Sequence, residues 1–172
     1  MKKIVLATLL SVGILSADIL GQAGLGYSRG DNGANHITAF AGVDIFMGAG
    51  VRLEYTKNIT EHPEFSKEDV SRYGLFATYQ FSMIPMFAIT PKVGIIKTDG
   101  EFTAKDALNA TVFSKSSTEF TYGLEIDYYY NSFISIFLGY TDYGKKLDIN
   151  NIKIDTSKMD TANYTLGFKI HL

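Results

Sequence analysis

Residues 162–172 read Ala162-Asn163-Tyr164-Thr165-Leu166-Gly167-Phe168-Lys169-Ile170-His171-Leu172. Tyr164, Leu166, Phe168, Ile170 and Leu172 share one face, and Asn163, Thr165, Gly167, Lys169 and His171 share the other. A β-strand sends successive side chains to opposite sides, so this stretch predicts a long strand with one apolar and one polar side. Chain ends are usually frayed and polar. An apolar strand closing the sequence is therefore expected to be held in place, and a closed sheet set in lipid would hold it.

The same period recurs seven times upstream. Apolar residues alternate with polar ones over about 19–28 (Ala23, Leu25, Tyr27), 36–46 (Ile37, Ala39, Ala41, Val43, Ile45) and 50–56 (Val51, Leu53, Tyr55). They do so again over 73–82 (Tyr73, Leu75, Ala77, Tyr79, Phe81), 87–95 (Phe87, Ile89, Pro91, Val93, Ile95), 119–130 and 134–141. Short connections are expected at 47–49, 83–85 and 131–132, and longer ones at 29–35, 57–71, 98–117 and 144–159. Pro91 lacks an amide donor and should mark an irregular spot in its ladder.

Alternation does not say which face is inside. A soluble lipocalin-type barrel would turn its apolar face inward. Here the polar set is mostly Gly, Thr and Ser with isolated charges, whereas a water-facing sheet carries many Lys and Glu. The apolar set is nearly complete on all eight strands, as lipid contact requires, since Lys or Arg at mid-bilayer costs about 2–4 kcal/mol. Tyr27, Tyr55, Tyr73, Tyr122, Tyr140 and Tyr164 fall toward the long-loop ends; Phe81, Phe87, Tyr128, Tyr130 and Leu172 fall toward the short turns. A tyrosine at a bilayer edge keeps its ring in hydrocarbon and its hydroxyl in water. In lipid every backbone amide must be paired internally, so a sheet spans only by closing on itself. The expected fold is all-β: a closed eight-stranded antiparallel up-and-down transmembrane barrel, with short periplasmic turns and long extracellular loops.

The beginning of the chain fits export. Met1-Lys2-Lys3 is a basic start, residues 4–15 are apolar, and Ala17 offers a small residue for cleavage. This is the pattern of a secretory signal peptide, expected over residues 1–17, and the run is too short for a spanning helix. Residues 18–172 are then one barrel domain, with 14 basic against 18 acidic residues. That small acidic excess argues against nucleic acid as a partner. The sequence has no cysteine, so no disulfide framework supports it.

Eight strands leave a lumen only wide enough for side chains to fill. The inward set includes Asp44, Arg52, Glu54, Lys92, Glu119, Glu125, Asp127, Lys169 and His171, with Phe40, Phe76 and Phe137 as bulk. With the first turn at 47–49, Asp44 is expected directly across from Arg52, and Lys92 is expected to face Glu125 and Asp127. Buried ions must be paired or watered. The expectation is a lumen network of Asp44, Arg52, Glu54, Lys92, Glu125, Asp127 and Lys169 that plugs the barrel; the alternative is that these charges line a conductive pore.

The signal peptide, the strand count, the loop asymmetry and the terminal strand together resemble the small eight-stranded outer-membrane barrels of the OmpA/OmpX-like superfamily. Residues 165–172 resemble the C-terminal signature read by the outer-membrane assembly machinery, carried here by Gly167, Phe168, Ile170 and Leu172, with Ile170 and Leu172 in place of the usual aromatics. The resemblance covers the mature chain. It implies integral residence in a bacterial outer membrane, with outer-membrane lipids and the assembly machinery as partners and an extracellular ligand held by the loops. It is specific for fold and poor for function, because one fold hosts adhesins, structural proteins and enzymes.

Some such barrels modify lipid A through a surface His. Here His36 lacks a Ser partner in a His-x-Ser pattern, His62 sits in a charged loop, and His171 is inward at the periplasmic rim. Each is read as a rim or loop residue, since none has a nucleophile and orienting acid at workable spacing. Asp31-Asn32-Gly33 lacks the later ligands of a calcium loop. No catalytic, metal or cofactor site is expected. The favoured reading is a non-catalytic structural or surface-recognition barrel acting through loops that carry Phe65, Phe102 and Phe113. A narrow porin-like channel and, third in order, a lipid-A-modifying barrel enzyme remain open.

Overall fold

The computed structural model describes residues 20–31, 33–60, 65–104, 112–143 and 162–172, with side chains described at all of these except 20, 46, 65–68, 83, 102–104 and 112–115. Among them the segments are β1 (Leu20–Gly30), β2 (Asn35–Phe46), β3 (Ala49–Asn58), β4 (Phe65–Tyr79), β5 (Phe81–Ile84), β6 (Phe87–Ala104), β7 (Val112–Tyr129), β8 (Ile134–Asp142) and β9 (Ala162–His171). β4 and β5 are two parts of one strand broken at Gln80, because Thr78↔Lys92 and Phe81↔Ile89 keep one register against β6. Eight strands therefore make the sheet.

Every neighbour is antiparallel, and the order β4-β3-β2-β1-β9-β8-β7-β6-β5 closes through the β4–β6 pairing. The first and last strands meet in register, with Tyr27 opposite Leu166 and Leu25 opposite Phe168. Closure leaves no sheet edge in the spanning region, which is what lipid demands of strands. The wall is inside-out relative to a soluble barrel. On β6, Lys92 is 4% exposed while its neighbour Val93 is 49% exposed. Leu166, Phe168 and Ile170 face outward, and Arg52 and Glu125 are buried within.

The first turn departs from the expected register. Asp44 lies opposite Gly50, and Arg52 lies opposite Gly42. A bulge between Asp44 and Phe46 shifts the pairing, and the turn is the two residues Met47 and Gly48, both with positive φ (47° and 85°). That pair of left-handed residues matches the twist of a tight hairpin, and only Gly48 adopts it without steric cost. The second turn is also displaced by a residue or so, with β5 running through Ile84 and the turn at Pro85 and Met86.

Two expected loops prove partly to be strand. β4 begins at Phe65 inside the 57–71 stretch, and β6 and β7 run on to Ala104 and from Val112 inside 98–117. The pairs Phe65↔Ala104 and Thr103↔Val112 make a three-stranded sheet that continues past the tyrosine girdle. Lys97, Asp99 and Glu101 there take the outward parity that is apolar in the belt, so the backbone ladder persists while the apolar alternation that marks it in sequence disappears. Pro91 fits its expectation: pairing to the preceding strand stops at Thr78↔Lys92 and resumes at Phe81↔Ile89, while Pro91↔Leu124 continues the ladder to β7. Residues 1–17 and 144–159 lie outside the described residues.

Candidate functional site

The chemistry-bearing residues converge in the lumen, because every strand turns its polar parity inward. At mid-height, three cations and three anions interlock. Arg52 Nη1 donates to Glu125 Oε1 at 2.5 Å and lies 3.5 Å from Glu54 Oε1. Lys92 Nζ donates to Glu54 Oε1 at 2.6 Å and lies 3.4 Å from Glu125 Oε1. Lys169 Nζ donates to Glu125 Oε2 at 2.7 Å and makes an ionic contact of 2.6 Å with Asp127 Oδ1, in poor hydrogen-bond alignment. Thr90 Oγ1 completes the set by donating to Asp127 Oδ2. All six ionic side chains are at most 4% exposed.

So enclosed, each charge depends on its counterparts, since removing one partner of a buried pair strands the other. Lys92 reaches Glu125 and Glu54 rather than both β7 acids; Asp127 belongs to Lys169. Asp44 stands apart from Arg52. Gln22 joins the two, its Nε2 donating to Asp44 Oδ1 at 3.1 Å and its Oε1 accepting from Arg52 Nη2 at 3.0 Å. Sequence reasoning that seeks only charged residues misses Gln22; its inward parity on β1, shared with Gly26 and Ser28, was the available signal.

The bulk around the cluster is aromatic. Phe40 and Phe137 meet edge to face at 5.5 Å, the Arg52 guanidinium lies 4.3 Å from the Phe40 ring, and Lys92 Nζ lies 4.8 Å from the Phe76 ring. Gly26 and Gly167 are direct partners across β1 and β9, and a Cβ on Gly167 would come 2.6 Å from the Phe137 ring. Gly167 is thus needed as a seat for Phe137. Phe168, Ile170 and Leu172 point outward, and Leu172 N donates to Gly21 O.

Toward the outer end, hydroxyls link Thr165, Ser28, Thr38 and Thr56 at 2.8–3.0 Å. Above them the Arg72 guanidinium lies 4.6 Å from the Tyr143 ring. His36, expected at a rim or in a loop, is instead buried on the inner face of β2. Glu119 is half-buried, with Oε2 enclosed. Between cluster and hydroxyls the void is only about 10 Å³. At the short-turn end a vestibule of about 570 Å³ is lined by residues including Asp44, Gln80, Tyr129 and His171. Ser135 Oγ lies 2.9 Å from His171 Nε2, and Tyr129 stacks on that imidazole at 5.0 Å. Among the described residues no carboxylate pairs with His171, and none of their His, Asp and Glu side chains form a group able to hold a metal. His62 and the side chains of Phe65, Phe102 and Phe113 lie outside what is described.

A closed antiparallel barrel with an apolar belt, tyrosines at its outer edge and charges locked inside defines an integral membrane protein that crosses with strands. The family model for the outer membrane protein beta-barrel domain matches residues 7–171, and the chain belongs to that family. It is an integral outer-membrane protein. Among solved structures, the N-terminal barrel domain of Pseudomonas aeruginosa OprF is similar at 13% identity and TM-score 0.66, covering 89% of this chain and 97% of that one. Ail, the attachment invasion locus protein of Yersinia pestis, is similar at 14% identity and TM-score 0.53, covering 90% and 96%. Neisserial surface protein A is similar at 15% identity and TM-score 0.52, covering 90% and 94%. At these identities the likeness is one of fold. The comparison with curated proteins finds no match.

Proposed function

We propose that this chain is a non-catalytic outer-membrane barrel whose work is done at its outer end, stabilising the envelope or holding an extracellular ligand. The observation that carries the reading is the occupied lumen. Arg52, Lys92 and Lys169 balance Glu54, Glu125 and Asp127 across the middle of the barrel, and the void above them is about what one water molecule requires. A rigid, plugged cylinder leaves the parts beyond the membrane to act, and recognition on such scaffolds usually sits in the connecting segments. The β4–β6–β7 sheet carries β6 on to Ala104 and β7 back from Val112, past the girdle. The Yersinia barrel is named for attachment, which fits the same use of the fold. Outer-membrane lipids are the surrounding partner, the assembly machinery reads Gly167, Phe168, Ile170 and Leu172, and nucleic acid has no role.

Two measurements test this. Pure protein in planar bilayers should give no large stable openings; such openings would favour the narrow-channel reading. Replacing residues 101–114 with Asn-Gly, which closes the Gly100↔Lys115 pair by a tight turn, should abolish surface attachment while leaving the folded barrel in the membrane. Unchanged attachment would remove the hairpin from the account. Altered lipid A in mass spectra of cells carrying the protein would favour an enzyme instead.

A further inference from the structure

We infer that the short-turn end of the barrel is itself a lipid-contacting surface. Met47, Ile84, Met86, Tyr130 and Phe133 sit in the boundary between headgroups and acyl chains of the inner leaflet, and not in periplasmic water. The inference rests on the membrane-spanning fold but is independent of what the outer end recognises.

The first observation is composition. Stretches 45–49, 81–87 and 130–134 contain no Asp, Glu, Lys or Arg. Met47 is nonetheless 77%, Tyr130 76% and Phe133 65% exposed. At the opposite end the apolar wall gives way at once to Lys57, Asp69, Lys97, Asp99 and Glu101, with ion pairs Lys57–Asp69 at 3.0 Å and Lys97–Asp99 at 3.2 Å. One end is built for water. The other carries no charged side chain on its turns.

The second observation is length. From Tyr164 at the girdle to Leu172 is eight residues along β9 and just past it, and from Ile95 to Phe87 on β6 is also eight. At ~3.3 Å per residue and a tilt of ~40°, that gives a belt about 20 Å tall. Barrels of this type carry an apolar band of ~25 Å. The apolar turns supply the missing height on the inner side, since the outward-facing residues that follow Ile95 on β6 are Lys97, Asp99 and Glu101.

The third observation concerns the backbone. A turn can enter the interface only if its peptide groups find partners. Gly48 O accepts from Gln80 N at 2.7 Å, Met86 O from Tyr129 N at 2.8 Å, and Phe133 O from His171 N at 2.8 Å. Asn131 Oδ1 accepts from both Phe133 N and Ile134 N at 2.8 Å. These bonds lower the desolvation penalty that keeps turns in water. Apolar side chains on an internally bonded backbone are what the headgroup–acyl boundary accommodates.

The chain has no cysteine, so single replacements report without background. The variants Met86→Cys, Phe133→Cys, Phe168→Cys and Glu101→Cys would each carry an environment-sensitive NBD label. They would be folded into phosphatidylcholine vesicles with and without brominated acyl chains. Labels at 86 and 133 should show roughly half or more of the bromine quenching seen at 168, with blue-shifted emission, while the label at 101 stays unquenched in water. If 86 and 133 behave like 101, the proposal is overturned, and a periplasmic protein or a second copy would have to cover the ring. If the label at 168 is unquenched as well, the spanning wall itself has failed, and the inference fails with it.

Discussion

Lys92 and Val93 are consecutive residues of one strand, yet they occupy opposite environments. Lys92 is enclosed with Glu54 and Glu125; Val93 faces outward toward acyl chains. The lumen and the outer wall are thus made from the same strands by parity alone, and each is stabilised differently. The wall needs only apolar area and the absence of charge. The lumen needs every ion placed against a counter-ion, so its tolerance should be lower.

Mutations can break or sharpen that contrast. Glu125 is the anion shared by Arg52, Lys92 and Lys169. Glu125→Ala should destabilise the barrel by about 3–5 kcal/mol in urea unfolding from lipid vesicles, because three buried cations lose one partner. Phe168→Lys, at the middle of the outer wall, should cost about 2–4 kcal/mol, whereas lysine at Tyr164, nearer the interface, should cost at most about 1 kcal/mol. Equal effects at 164 and 168 would deny the depth gradient that lipid imposes. Ser28→Ala removes the link between Thr38 and Thr165 and should cost about 1 kcal/mol. The smallest effect is expected for Lys97→Gln at the wet end, whose pair with Asp99 is exposed and worth about 1 kcal/mol at most.

The sequence was most legible where one face of a strand meets lipid. Leu166, Phe168 and Ile170 against Thr165, Gly167 and Lys169 specify strand, register and outward side together, because any one-residue slip would put Lys169 into hydrocarbon. Beyond the girdle that constraint vanishes. Residues 65–71 and 98–104 pair as strands while reading as polar loop, since outward positions such as Asp69, Asp99 and Glu101 no longer carry apolar side chains. The lumen was legible by parity but not by partner. The Asp44–Arg52 juxtaposition failed because a bulge and a left-handed Met47 shifted the first hairpin, and methionine carries no turn signal. Partners such as Glu54 for Lys92 lie across the lumen on strands that are not sequence neighbours, a distance that no local spacing encodes.

The inside-out wall is tested most directly by nitroxide labels along β9, one at a time at 164, 165, 166, 168, 170 and 171, in lipid bilayers. Collisions with dissolved oxygen should be high at 164, 166, 168 and 170 and low at 165 and 171, as a two-residue period requires. High accessibility to a water-soluble nickel reagent at 166 and 168, with 165 and 171 oxygen-rich or no period at all, would contradict a barrel whose apolar face meets lipid.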